Sequence, residues 1–224
     1  MIETVYEDNH LLVVNKPVGL IVQADSNMDS DLLTILKDEL KERHNKPGNV
    51  YLGLVHRLDR NVGGLMVFAK SSKAASRLSE AIRERKFIKH YLAITQKVVP
   101  EPNGRLVSWI KKDSRTNKSK VRDHSYPGAK EAILEFEVLC ALKGKTVIRV
   151  ELITGRPHQI RAQFAHIGHP LVGDIKYGGH KRTKYKIALF SHKLEFAHPT
   201  TKETMKFELK PSWQELQLVP KGRL

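Results

Sequence analysis

The stretch HRLDRNVGG, residues 56–64, puts the carboxylate of Asp59 between the guanidinium groups of Arg57 and Arg60. Positive neighbours favour the charged form of a carboxylate. A charged carboxylate held in place can act as a nucleophile or a base. The same spacing also suits a plain structural ion pair, and on this cluster alone the simpler role is favoured. Two apolar runs, YLGLV (51–55) and LMVFA (65–69), flank it. The cluster therefore reads as a polar loop between two strands, a usual location for site residues.

The other chemistry-bearing residues are more scattered. Of the eleven histidines, His166 and His169 are three apart and His158 lies eight before His166. A zinc site needs three or four ligands at defined spacing, and neither HExxH nor a thiolate pair is present, so no metal is expected. Neither GxGxxG nor GxxxxGK[ST] occurs, so no nucleotide cofactor is expected either. The one cysteine, Cys140 in AILEFEVLCAL (132–142), rules out a disulfide within the chain and reads as a small core residue. This usage suits a reducing compartment.

Charge points to the partner. Among 224 residues, 39 Lys and Arg face 24 Asp and Glu, a net charge of +15. Such an excess fits a polyanion, nucleic acid ahead of an anionic membrane surface. It is densest in KKDSRTNKSKVR (111–122), inside a stretch, 100–129, that is poor in large apolar residues. That stretch reads as a long basic loop or arm, either a solvated hairpin or a segment that follows phosphates. MIETVYEDNH at the start is acidic where a signal peptide is basic, and no run approaches the ~18 apolar residues of a membrane helix. A cytoplasmic protein is expected.

The elements that must position these residues follow from periodicity. VYEDNHLLVVNKPVGLIV reads as two short apolar runs around a turn at Asn15–Gly19. Residues 30–44 read as an amphipathic helix through Leu32, Leu36 and Leu40, with Ser30 or Asp29 as cap and KPGN (46–49) as stop. A second helix is expected over 71–86, capped by Ser71 or Ser72 and facing inward through Ala74, Leu78 and Ile82. FIKHYLAIT (87–95), residues 132–141 and residues 145–153 read as strands. In TGRPHQIRAQFAHIGHP, Pro157 suits a first helical turn and Gly168 its end. Ile160, Phe164 and Ile167 then face the core, and Arg161 projects from a neighbouring stripe. LVGD, IALFSHKLEF and TMKFEL complete a strand-rich tail. Strands outnumber helices without βαβ alternation, so the expected class is α+β, a large mixed, mainly antiparallel sheet flanked by helices and loops, in a single domain over 1–224.

HRLDR followed by glycine and an apolar strand resembles the signature loop of the RluA-type RNA pseudouridine synthases. VYEDNHLLVVNKPVGL is similar to that family's opening segment and RERKFIKHYLAI to its tyrosine-bearing segment. TGRPHQIRAQFAHIGHPLVGD is similar to its arginine-bearing helix and SHKLEFAHPTT to its closing strand. The resemblance runs in order from about Val5 to Thr201, nearly the whole chain. It implies an isomerase that converts uridine in RNA to pseudouridine without metal or organic cofactor. It implies Asp59 as the essential carboxylate, with Tyr91 of KHYLA and Arg161 closing HQIR beside it. Arg57 is then expected to help displace the flipped base, with His56, Arg60, Arg156 and His158 as further RNA contacts. Ribosomal RNA is the favoured substrate over transfer RNA, and a monomer is the default.

The chain departs from the family pattern after Asp59. Val62 and Gly63 stand where the family usually has Thr and Ser, so two hydroxyls that could brace the loop are missing. Pro157 replaces the usual Thr or Ser of TGRxHQ. The chain starts directly at the catalytic opening, so the small N-terminal RNA-binding domain of many relatives is expected to be absent. RNA grip would then fall on the catalytic domain and its arm. The alternative expectation is a non-catalytic RNA-binding protein on the same fold, to which the altered loop lends support. A metal-dependent hydrolase lacks a ligand set.

Overall fold

A computed structural model of the chain describes residues 1–24, 31–45, 47–180 and 186–224. They form two compact units, residues 1–87 with 191–210, and residues 88–190 with 211–224.

In the first unit, β1 (Glu3–Glu7) pairs antiparallel with β2 (Leu11–Lys16). Their turn is fixed by Asp8, whose carboxylate accepts the amides of His10 and Leu11. Burial and the Tyr6 phenol act on that carboxyl in opposite directions, and the bonds it accepts win, holding it below its usual pKa. Helix α1 (Leu32–Arg43) buries Leu32, Leu36 and Leu40. Its cap is Asp31, which accepts the Thr34 amide, a bond that contributes about 1 kcal/mol. Ser30 and Asp29 lie outside the described residues. Within 51–55 only β3 (Gly53–Leu54) is strand, and the rest already belongs to the polar connection. β4 (Gly63–Ala69) is buried throughout and lies between β2 and the returning chain. Helix α2 (Ser72–Arg83) is capped by Ser71 on the Ala74 amide and buries Ala74 and Leu78.

The second unit begins with β5 (Ile88–Gln96). Of the two readings of 100–129, the structure shows the hairpin, β6 (Asn103–Asp113) and β7 (Lys118–Arg122). Its outward positions are charged, which hides the period-2 pattern, and pairing of β6 with β8 (Lys130–Leu142) decides the conformation. β9 (Lys145–Leu152) pairs with both β8 and β5. Cys140 on β8 is half-buried, and burial pushes its thiol pKa up.

Helix α3 (Gln159–His166) starts two residues later than Pro157 suggests, because His158 takes a left-handed conformation (φ 53°) at its cap. Gln159 Oε1 accepts the Arg156 amide and the Thr154 hydroxyl, which closes the preceding turn. The short helix is sunk into the unit: residues 159–164 are all buried, while Ile167 past its end is exposed. LVGD (171–174) is a tight turn rather than a strand, with one bridge from Leu171 to Thr95.

The chain then returns to the first unit through β10 (Leu189–Ala197) and β11 (Thr204–Glu208), an antiparallel pair. The first unit's core joins Leu11, Val13, Leu65, Val67, Leu78, Phe87 and Phe196. Phe87 and Phe196 stack with ring centres 4.7 Å apart. The second core gathers Leu92, Ile94, Leu139, Val147, Val172 and Leu216. The β1–β2, β2–β4, β3–β4, β5–β9, β6–β7, β6–β8, β8–β9 and β10–β11 pairings are antiparallel, and with three α-helices among the described residues the architecture is α+β, as expected.

Candidate active site

In the first unit the Asp59 loop is tied to the turn after β2. Lys16 ends β2 with a side chain only 1% exposed. Its ammonium donates to the carbonyls of Pro17 (2.9 Å), Arg60 (3.2 Å) and Val62 (2.9 Å). Burial pulls its pKa down to about 8, against the opposing field of the Asp59 carboxylate. The Gly19 amide donates to Arg60 O at 2.8 Å, and Arg60 Nε donates back to Gly19 O at 2.9 Å. The Val62 amide donates to Asp59 O at 3.0 Å, closing a turn on the catalytic candidate itself.

These ties answer the missing Thr and Ser hydroxyls: the loop is braced by a buried ammonium and a reciprocal Gly19–Arg60 pair. Gly64 adds a close approach. It holds φ +110°, and a Cβ there would stand 2.3 Å from Ser191 O. Only glycine accepts both conditions.

Asp59 is half-buried, Arg57 and Arg60 are exposed, and His56 is half-buried. His56 Nε2 accepts the Val67 amide at 3.1 Å and its ring lies 5.7 Å from Phe87. An acceptor nitrogen must be unprotonated, so this bond fixes a neutral ring with its proton on Nδ1.

The second unit holds Tyr91, Arg156, His158 and Arg161. Tyr91 is 6% exposed on β5, opposite Val150 of β9. Arg161 on α3 is also buried, and it makes a two-pronged bond to Asp174. Nε donates to Oδ2 at 2.7 Å and Nη2 to Oδ1 at 2.8 Å. Its guanidinium carbon lies 5.1 Å from the centre of the Tyr177 ring. The fork geometry orients the guanidinium plane. A buried pair of this kind is costly to break, because one charge is left behind.

Tyr177 links this pair to the basic hairpin. Its hydroxyl accepts the Ser119 amide of β7 at 2.6 Å and meets His158 Nδ1 at 2.8 Å. Ser119 Oγ donates to Pro157 O at 2.6 Å. Burial pushes the Tyr177 phenol above its usual pKa. Arg156 Nε donates to Glu131 O at 2.7 Å. The hairpin is thus anchored to the turn that opens α3, with Lys111, Lys112, Arg115, Lys118, Lys120 and Arg122 exposed along it.

Sequence reasoning missed three residues here. Lys16 was in view only as turn chemistry, and Asp174 only as the end of a strand. Tyr177 carried no signal at all. Among the described residues no three His, Cys, Asp or Glu side chains gather as metal ligands, and no helix is long and apolar enough to cross a membrane.

The family profile described as RNA pseudouridylate synthase matches residues 10–166. Ribosomal large subunit pseudouridine synthase C of Buchnera aphidicola subsp. Baizongia pistaciae is 35% identical over 209 residues, 89% of this chain and 64% of that protein. Ribosomal large subunit pseudouridine synthase D of Pseudomonas aeruginosa is 36% identical over 223 residues, 92% of this chain and 67% of that protein. The solved structure of human RNA pseudouridylate synthase domain containing 4 superposes with a TM-score of 0.77 at 23% identity, covering 94% of this chain and 89% of that one. The chain belongs to the RNA pseudouridylate synthase family. It spans about two thirds or less of the length of the curated relatives it matches.

Proposed function

We propose that the chain isomerises a specific uridine in structured RNA, ribosomal RNA ahead of transfer RNA, to pseudouridine. The observation that carries this is the HRLD loop, with Asp59 on a turn braced by Lys16 and Gly19, inside the residues that match the family. The relatives' names, which specify the large ribosomal subunit, support the substrate class, and the charge of +15 supports RNA in general.

The reaction breaks the bond from the ribose C1′ to N1 of uracil and forms one from C1′ to C5. N1 gains a proton and C5 loses one to water, so nothing is oxidised and no cofactor is needed. The uridine must first leave its stack, which costs a few kcal/mol. Arg57, exposed beside Asp59, is assigned to the vacated space, with His56, Arg60, Arg156 and His158 as further RNA contacts. Asp59 is assigned as the reacting carboxylate, Tyr91 as the ring against uracil and a late proton acceptor, and Arg161, its guanidinium oriented by Asp174, as the third catalytic residue. Because the first unit resumes at Ser191 and the second at Pro211, neither is a continuous piece of chain. Residues 1–224 are therefore assigned to one catalytic domain, a cytoplasmic monomer.

The test is release of tritium from RNA labelled at C5 of uridine, comparing wild type with Asp59→Asn. Release by wild type, with none from a variant that still binds RNA, is the expected result. Tight binding without release by wild type would favour the non-catalytic alternative, with Val62 and Gly63 as its cause.

A further inference from the structure

Lys89 lies two residues before Tyr91 on β5, so the two side chains leave the same face of the strand, about 6.6 Å apart along it. It is 8% exposed. Among the described residues its ammonium makes no hydrogen bond and no ion pair, and burial alone acts on it, pulling its pKa down. This contrasts with Lys16, whose buried ammonium has three carbonyl partners. A largely buried cation without a protein partner is unfavourable in the free protein, though Lys89 Nζ is not one of the fully buried unpartnered atoms. The site is nevertheless reachable: Nζ lies 3.8 Å from where a Cβ on Gly155 would stand, and Gly155 is an exposed residue of the turn that leads to α3. The next residue on that turn is Arg156, a second cation, half-buried and held by Glu131 O.

We propose that Lys89 is a phosphate-binding residue, taking the backbone phosphodiester next to the uridine that Tyr91 engages. This rests on the RNA-isomerase function proposed above. The separation of Lys89 and Tyr91 along β5 is comparable with that between a nucleotide's base and its own phosphate. A phosphodiester carries a permanent charge and runs along the solvent edge of a bound strand, as the Gly155 turn does. Neutral uracil offers no such charge before the bond to ribose breaks. Binding the phosphate gives the ammonium the counter-charge that the folded chain withholds.

The experiment uses the full chain and an in vitro transcript of large-subunit ribosomal RNA labelled at C5 of uridine. Lys89→Met keeps the stem and removes the charge; Lys89→Arg keeps the charge. Affinity is measured across a salt series and tritium release in single turnover. Lys89→Met is expected to weaken binding about ten-fold near physiological salt and to make the slope of log affinity against log salt shallower by about 0.7–0.9, one phosphate contact. Lys89→Arg is expected to keep the wild-type slope. Urea denaturation is expected to show Lys89→Met at least as stable as wild type, so weaker binding is not lost folding. An unchanged slope and affinity would overturn the proposal and leave Lys89 a structural lysine. A loss confined to the single-turnover rate would overturn it in favour of a contact to uracil. If wild type binds this RNA but releases no tritium, the isomerase function fails, and the salt slope of Lys89→Met still decides the phosphate contact.

Discussion

Replacing Lys16 by methionine keeps an unbranched side chain but removes the ammonium that joins Pro17, Arg60 and Val62. Arg60 O keeps a second donor, the Gly19 amide. Two carbonyls are therefore deprived, and a buried acceptor left unsatisfied costs about 1–3 kcal/mol, roughly 2–6 for both. Removing a buried charge works the other way. The ammonium titrates at about 8 in the folded chain because it is buried, against 10.5 ordinarily. Between those values the unfolded chain still holds a proton that the folded chain has released, so the stability of wild type rises with pH across that window. At about 1.4 kcal/mol per pH unit the rise is about 3 kcal/mol. Below pH 8 the two effects of the substitution largely offset each other. Above it the charge penalty is gone from wild type, and the deficit of Lys16→Met should widen by about 3 kcal/mol by pH 10.5. Urea denaturation of both proteins at several values between pH 7 and 10.5 reads this difference, and other titrating groups cancel in the comparison. Tritium release by Lys16→Met should fall by about ten-fold or more already at pH 7, a loss of about 1.4 kcal/mol in transition-state stabilisation, because the loop that carries Asp59 loses its brace. A stability gap that stays constant or narrows with pH, or a variant with full activity, would refute the role given to the buried ammonium.

Two further outcomes follow from the geometry. Asp174→Asn should cost about 3–5 kcal/mol by leaving the Arg161 guanidinium buried without its counter-charge, and the double variant Arg161→Met with Asp174→Leu should recover most of it in urea denaturation; a single variant as stable as wild type would contradict the clamp. Gly64→Ala should lose about 2–5 kcal/mol, from a positive φ and a Cβ forced against the Ser191 backbone, read as a lower midpoint of thermal unfolding; an unchanged midpoint would mean the approach to Ser191 is not tight.

Local sequence determined a good deal. The leucine spacing of 32, 36 and 40 and the Ser71 cap placed α1 to within two residues and α2 to within three, because helix periodicity and capping are local properties. The order of HRLD, KHYLA and HQIR pointed to the family before any coordinates, since residue types at fixed spacing survive as a pattern in the chain. Tertiary structure decided the rest. Lys16 and Val62 are 46 residues apart, and only the pairing of β2 with β4 brings that ammonium under the loop. The basic stretch at 111–122 left a solvated hairpin and a phosphate-following arm both open, because its strands turn charge outward; it forms the end of the β6–β7 hairpin, and β6 is held against β8 through residues 103–110. Asp174 and Arg161 found each other through a tight turn that a strand-like reading of LVGD could not foresee. Lys89 reads in the sequence as one more lysine of a basic protein. That it is buried, unpaired and on the face of Tyr91 depends on β5 lying inside its sheet, because burial is set by neighbours far along the chain.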